Sequence, residues 1–338
     1  MKNYAIVLLA FVSACGGQKS QTTETTTEEI STPEFPYLER TDALDAIIAP
    51  DAEVEVLAEG FEWSEGPVWI EDGGYLLFSD IPNNRVNKWK EGEGISVYLQ
   101  PSGYTGTNDP WKEPGSNGLL LTPDGKLMLC QHGDRRMAIM DAPLSDPKSE
   151  FITYVGEYNG MKLNSPNDAT FHSSGDLYFT DPPYGLPQQM DDPTKEIPFQ
   201  GVYRRKAEGT MELITDLMTR PNGIAFSPDE KTLYLANSDP EKSHWMAFDV
   251  ADDGSTSNGR IFYDATGSEG LGLCDGMTVH SSGIIYATGP GGVFIITPNA
   301  KVIGKVLTGQ ATANCTLDTN EKYLYITADM FLMRVALK

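Results

Sequence analysis

The chain has 338 residues, and 48 acidic against 25 basic side chains leave it with a formal charge of −23. No basic stripe exists to displace counterions, which excludes nucleic-acid binding. Four cysteines without CxxC spacing argue against a zinc site, and no GxSxG elbow announces a serine nucleophile.

Residues 1–15 read as a leader. Lys2 is a minimal positive region, and Tyr4 to Val12 is an apolar run too short to span a bilayer. Val-Ser-Ala-Cys15 resembles the lipobox of bacterial lipoprotein signal peptides, whose cysteine is acylated and becomes N-terminal after cleavage. An extracytoplasmic lipoprotein is therefore expected, touching the membrane only through its anchor. Residues 16–50 are expected to form a disordered or extended tether. Gln18 to Thr32 is rich in Thr, Glu, Ser and Gln with almost nothing to bury, while Phe35 to Ile48 is mixed enough to lie against the domain.

Residues 51–338 carry the fold. Leu163 to Gly185 reads as loop, strand, turn, strand, loop, with His172-Ser-Ser-Gly175 as the hairpin turn. The pattern recurs from Glu65, Asn117, Asn167, Asn222, Asp275 and Asn314, at intervals of roughly 40–55 residues. Each unit opens on an acid or amide and ends a second strand in small or polar residues. Sheets of this kind bury both faces by stacking radially, so the chain is predicted to be all-β, a six-bladed β-propeller. No repeat carries the 3.6-residue apolar spacing of a helical solenoid. Only three strands fit after Asn314, and Glu53 to Ala58 (EVEVLA) alternates like an edge strand. That segment is predicted to join the last blade and close the ring. A closed propeller needs no partner for its core, so a monomer is the default.

In such a ring the six opening residues converge at one end of the channel. They comprise two carboxylates and four amides, with no lysine or arginine. Burying two carboxylates without a counter-charge costs several kcal/mol or forces protonation. A divalent cation relieves this, and an all-oxygen set selects Ca²⁺, Mg²⁺ or Mn²⁺, with the irregular shell favouring Ca²⁺. The plainer alternative is that Asn-Gly and Asp-Gly only shape the strand entries. His132 follows the second strand of its unit, where Asp181 and Asn237 stand in theirs. It is a candidate substrate contact or a structural histidine. Arg135 and Arg136 could bind hydroxyls or make inter-blade pairs; Tyr104, Trp111 and Tyr184 could cap the channel or pack its loops. Cys274 and Cys315 flank residues of adjacent blades, which leaves a disulfide open.

EGPVW at Glu65, SPND at Asn167, FTDPPYG at Asp181, RPNGIAFSPDEKTLY at Asn222 and CDGM at Asp275 resemble the SMP-30/gluconolactonase family, and NGLLLTPDGKLMLCQHGDRRM is similar to its bacterial gluconolactonase-type branch. The resemblance runs from about Glu55 onward. It implies a six-bladed propeller with a channel metal, usually Ca²⁺ or Zn²⁺. Glu65, Asn222 and Asp275 match metal ligands, and Asn167 matches the fourth ligand or a substrate-contacting amide. Asp275 also matches the proposed general base. Hydrolysis of a sugar-derived lactone is the implied reaction. A metal polarises the carbonyl, and Asp275, or second to it Asp168, activates water. Asn117, Asn167, His132 and Arg135 are the candidate substrate contacts. Two other readings stand beside this one: a phosphotriesterase-like hydrolase on the same site, and a propeller that only binds a ligand.

Overall fold

The computed structural model describes residues 35–107 and 111–338. The expected leader, with Cys15, and most of the expected tether lie outside the described residues. Six antiparallel sheets, five of four strands and one of five, follow one another as blades. Their innermost strands are Ser64–Ile70, Ser116–Leu121, Ala169–Phe171, Pro221–Phe226, Met277–Val279 and Thr312–Leu317. Each touches the innermost strand of the next blade, and Thr312–Leu317 meets Ser64–Ile70 to complete the circle.

Every blade is covered on both faces, which is why its second strand is apolar without alternation. Leu76 faces blade 6 and Leu77 faces blade 2, and both are wholly buried. Tyr178 and Phe179 divide in the same way between blades 4 and 2. The core is therefore six apolar clusters, one at each blade interface. The recurring hairpin turn adds a polar tie. Ser173 N–H donates to Glu230 Oε1 at 2.8 Å and His172 Nε2 lies 3.4 Å from Oε2. Two blades further round, Ser281 N–H and His280 Nε2 meet Glu321 at 2.7 and 3.2 Å.

Closure occurs where the alternation of EVEVLA placed it. Val54–Glu59 pairs antiparallel with Phe331–Ala336 as the outer strand of blade 6. Arg334 fastens the join, with Nε and Nη2 donating to Glu55 Oε2 at 3.0 and 2.8 Å.

One expectation is corrected, and the open question of a disulfide is answered. The fold does not begin at residue 51. Tyr37–Arg40 pairs with Val302–Leu307 as a fifth strand of blade 5, and Leu44 and Ile48 are completely buried against blades 5 and 6. The segment's few apolar residues suffice because the blade supplies the rest of the cluster. The disulfide is absent as well: Cys130, Cys274 and Cys315 are free and buried. Cys274 packs between blades 4 and 5, Cys315 between blades 5 and 6. No helix among the described residues is long and apolar enough to cross a membrane.

Candidate active site at the channel mouth

The side chains at the channel mouth are aimed by interruptions in the innermost strands. Pairing slips between Glu65 and Val68, between Ser116 and Leu119, and between Pro221 and Ile224. A bulge of this kind turns one side chain out of the pleat, here into the channel. In blade 3 the strand starts only after Asn167, whose N–H still bonds Thr180 O at 2.9 Å; in blade 5 Asp275 bonds Thr288 O at 3.0 Å.

Three of the entry loops are pinned by an acceptor at the end of their blade's second strand. Asp181 accepts Asn164 N–H and Ser165 N–H, both at 2.8 Å, and so fixes the loop that delivers Asn167. Asn237 Oδ1 accepts Arg220 N–H at 2.9 Å before Asn222, and Asp80 Oδ1 accepts Glu62 N–H at 3.2 Å before Glu65. Hydroxyls one step along reach the neighbouring blade: Ser79 donates to Asn117 O at 2.7 Å and Thr180 to Asn222 O at 2.8 Å. These contacts explain why the second strands end in small or polar residues. The glycines that follow the ring residues are not turn formers. A Cβ at Gly66 would sit 2.1 Å from Asn117 O, and one at Gly223 would sit 2.3 Å from Asp275 O. Adjacent blades approach there backbone to backbone.

Glu65, Asn117, Asn167, Asn222 and Asp275 line one cavity of about 200 Å³. Asn222 Nδ2 donates to Ser238 Oγ at 3.0 Å, which turns its amide oxygen toward the cavity. Asn117 Oδ1, Asn167 Oδ1 and Asp275 Oδ1 are buried and accept from no donor among the described residues. A buried acceptor left unpaired costs about 1–3 kcal/mol, so three together suit a bound cation. The donor set is all oxygen and fits a hard divalent ion. No group of three or more His, Cys, Asp and Glu side chains placed to hold a metal ion occurs among the described residues; two carboxylates plus amide oxygens make up this set.

Burial pushes Glu65 up to about 8, against the pull of the Gly66 N–H and with the Asp168 charge adding to the rise. Asp275 stands well above the ordinary carboxylate range, first through burial and then through the Glu65 and Asp168 charges. A cation is the natural counterpart of this repulsion.

Other predicted residues are placed elsewhere. Asn314 is not part of the lining: its amide lies beneath, between the Glu65 and Asp168 carboxylates, and it borders a second cavity toward the opposite end of the channel. Asp168 borders that second cavity too, with its carboxylate accepting Ala169 N–H at 2.8 Å. It therefore does not face a substrate at the mouth, because successive strand residues point to opposite sides. Arg135 is spent on structure, with Nε donating to Leu163 O at 2.7 Å and Nη1 to Thr194 O at 2.9 Å. Arg136 is likewise held by Gln131, Thr153 and Asp134. His132 is wholly buried and borders the cavity only through Glu113, 3.6 Å away. Tyr184 does line the cavity, while Trp111 packs at a tilt against Tyr104 and donates to Gly185 O at 2.7 Å. Trp63, Glu113 and Ser238 also line it and were missed. Only Ser238 carried a signal, as the polar end of a second strand.

Residues 63–329 match the family described as SMP-30/Gluconolactonase/LRE-like region. The chain is 38% identical over 306 residues to a gluconolactonase of Zymomonas mobilis, covering 87% of this chain and 84% of the relative. Among solved structures it is similar to a gluconolactonase of Xanthomonas campestris, with 31% identity, a TM-score of 0.76, and 90% of this chain and 95% of that one covered. A regucalcin of Agrobacterium tumefaciens, described as calcium-binding, shares the fold at 18% identity and a TM-score of 0.63, over 84% of this chain and 94% of that one.

Proposed function

The chain belongs to the SMP-30/gluconolactonase/LRE-like family, and from that premise we propose that its channel-mouth site opens a sugar-derived lactone with the help of a divalent cation. The protein is a lactonase-type enzyme. The observation that carries the finer reading is the convergence of unpaired buried oxygens from Asn117, Asn167 and Asp275 beside Glu65 and Asn222. Glu65, Asn167, Asn222 and Asp275 would hold the cation, and Ca²⁺ suits this amide-rich set best. When bound, it supplies Lewis acidity to the lactone carbonyl.

The remaining work falls to the chain. Asp275 takes a proton from water as the water oxygen bonds to the carbonyl carbon. The ring C–O bond then breaks, and the proton passes to the departing alkoxide to leave a hydroxy acid. Asn117 orients the substrate, and the Trp63 and Tyr184 rings wall the cavity against bulk water. Glu65, Glu113 and Asp275 face a cavity whose lining, among the described residues, has no lysine or arginine. That lining offers no basic side chain to receive a phosphate, which favours unphosphorylated lactones.

Chelation followed by resupply tests this reading. Proton release from aldonolactones should vanish after EDTA and return with Ca²⁺, with Zn²⁺, Mn²⁺ and Mg²⁺ compared in parallel and a phosphotriester left intact. Full turnover after chelation would remove the metal from the reaction. Phosphotriester turnover without lactone turnover would replace the substrate class. The reading also includes export and anchoring at Cys15, supported by the Val-Ser-Ala-Cys sequence that precedes the tether. Cys15→Ser is expected to move the protein from the membrane to the soluble fraction; retention at the membrane would refute the anchor.

A further inference from the structure

One charged group on the cavity wall belongs to no repeat. Glu113 comes from the irregular segment between blades 1 and 2, and its side chain is 20% exposed toward the cavity. Behind it lies His132, with Nδ1 3.6 Å from Glu113 Oε2. Neither ring nitrogen of His132 hydrogen-bonds another protein atom among the described residues. The imidazole is nonetheless held in place. Its backbone N–H donates to Gly115 O at 3.2 Å, and its Cβ packs so tightly on Gly185 that an added Cβ there would lie 2.5 Å away. Gly185 is itself fixed, donating to Ser165 Oγ at 2.9 Å and accepting from Trp111 Nε1 at 2.7 Å.

An immobilised, wholly buried polar ring with one acidic neighbour carries a desolvation cost that packing alone does not require. Its placement is accounted for if it fixes the direction in which Glu113 points. A carboxylate only accepts hydrogen bonds, and with no lysine or arginine beside it in the described lining it recognises neutral donors such as hydroxyls. We propose that Glu113, positioned by His132, binds the hydroxyl groups of the substrate and selects polyhydroxylated, uncharged lactones over plain ones. The inference rests on the lactonase reading and adds a specificity residue and a positioning residue to it. Glu113 acts on the substrate directly; His132 acts through Glu113.

The test compares kcat/KM for an aldono-δ-lactone with that for δ-valerolactone, which has the same ring and no hydroxyls. Glu113→Leu should lower the ratio by about 10- to 100-fold, mainly through KM, as expected for losing a charged hydrogen bond to a hydroxyl. Glu113→Gln should recover part of that loss. His132→Leu should follow Glu113→Leu, whereas His132→Asn, which keeps a nitrogen near the Nδ1 position, should retain most of the selectivity. An unchanged ratio, or equal losses on both substrates, overturns the proposal. A second readout needs no turnover: 1,5-anhydroglucitol, a cyclic polyol without a carbonyl, should raise the melting temperature of the calcium-loaded wild type but not of Glu113→Leu. Equal shifts in both, or none in either, also overturn it. A shift confined to the wild type in a protein that hydrolyses no lactone would sustain the hydroxyl site and remove the lactonase reading instead.

Discussion

Asp275→Asn is expected to lower kcat/KM for lactones by about 10³-fold or more, the upper part of the range for losing a positioned general base. The substitution is nearly isosteric, so the Asn222 amide that supports the carboxylate keeps a partner. What disappears is the ability to take a proton and the charge that helps to hold a cation. Stability separates this from a folding defect. In the chelated protein Glu65 is pushed up to about 8 from an ordinary 4.5, so the folded state keeps a proton that the unfolded chain gives up. The contribution of Glu65 to the stability of the metal-free protein is therefore greatest below about pH 4.5 and is lost as pH rises toward 8. Removing the charge at position 275 eases that repulsion. Chelated Asp275→Asn should then melt no lower than chelated wild type at pH 8, while its stabilisation by Ca²⁺ shrinks. Lower melting with unaltered calcium stabilisation would mark Asp275 as a structural residue only.

Gly66→Ala should be the most damaging single change to the fold, costing about 4 kcal/mol or more, out of the ~5–15 kcal/mol a domain has. The residue has φ +49°, and the new Cβ would lie 2.1 Å from Asn117 O and 2.7 Å from the Gly118 Cα. Both obstacles are backbone of the next blade, so relief requires blades 1 and 2 to part at the channel. The Gly66 N–H that donates to Glu65 Oε2 at 2.9 Å would move with them. Gly74→Ala is the matched control. Its φ of +60° is similar, but nothing lies within 4 Å of the added Cβ. It should cost only the left-handed strain of about 1–2 kcal/mol. Urea titrations of the two variants against wild type measure the difference. Similar losses would mean that backbone conformation, and not the close approach of blades, demands glycine at position 66.

The two substitutions bear on one arrangement, because the bulge that points Glu65 into the channel also brings Gly66 against Asn117. Packing of the ring and geometry of the site are not separable here. A blade shift too small to unfold the protein would still displace the oxygens of Asn117 and Asn167.

What the sequence determined by itself is everything that repeats. An acid or amide at each strand entry, a polar turn and a second apolar strand recur often enough to count the blades. They also phase the ring, and the alternation in EVEVLA finds its closing strand. Five of the six ring residues share the mouth cavity for that reason. The sixth, Asn314, sits beneath them between two carboxylates, a difference of side-chain direction that no spacing encodes.

Only the tertiary structure decided the features that depend on distant partners. Asp168 is adjacent to Asn167 in the chain, yet it opens onto the other cavity, since the strand alternates its faces. Arg135 could have bound hydroxyls or paired between blades, and the carbonyls of Leu163 and Thr194 in blade 3 decide for structure. The short segment from Tyr37 to Ile48 is too poor in apolar residues to be read as folded alone, and it is ordered by a blade edge more than 250 residues away. Glu113 stands in a segment with no repeat phase, and it reaches the cavity because His132 and Gly185 close in from blades 2 and 3. Local patterns report which face a residue is offered to. Which groups meet there is set by long-range packing, and this cavity is built where six separate strand entries converge.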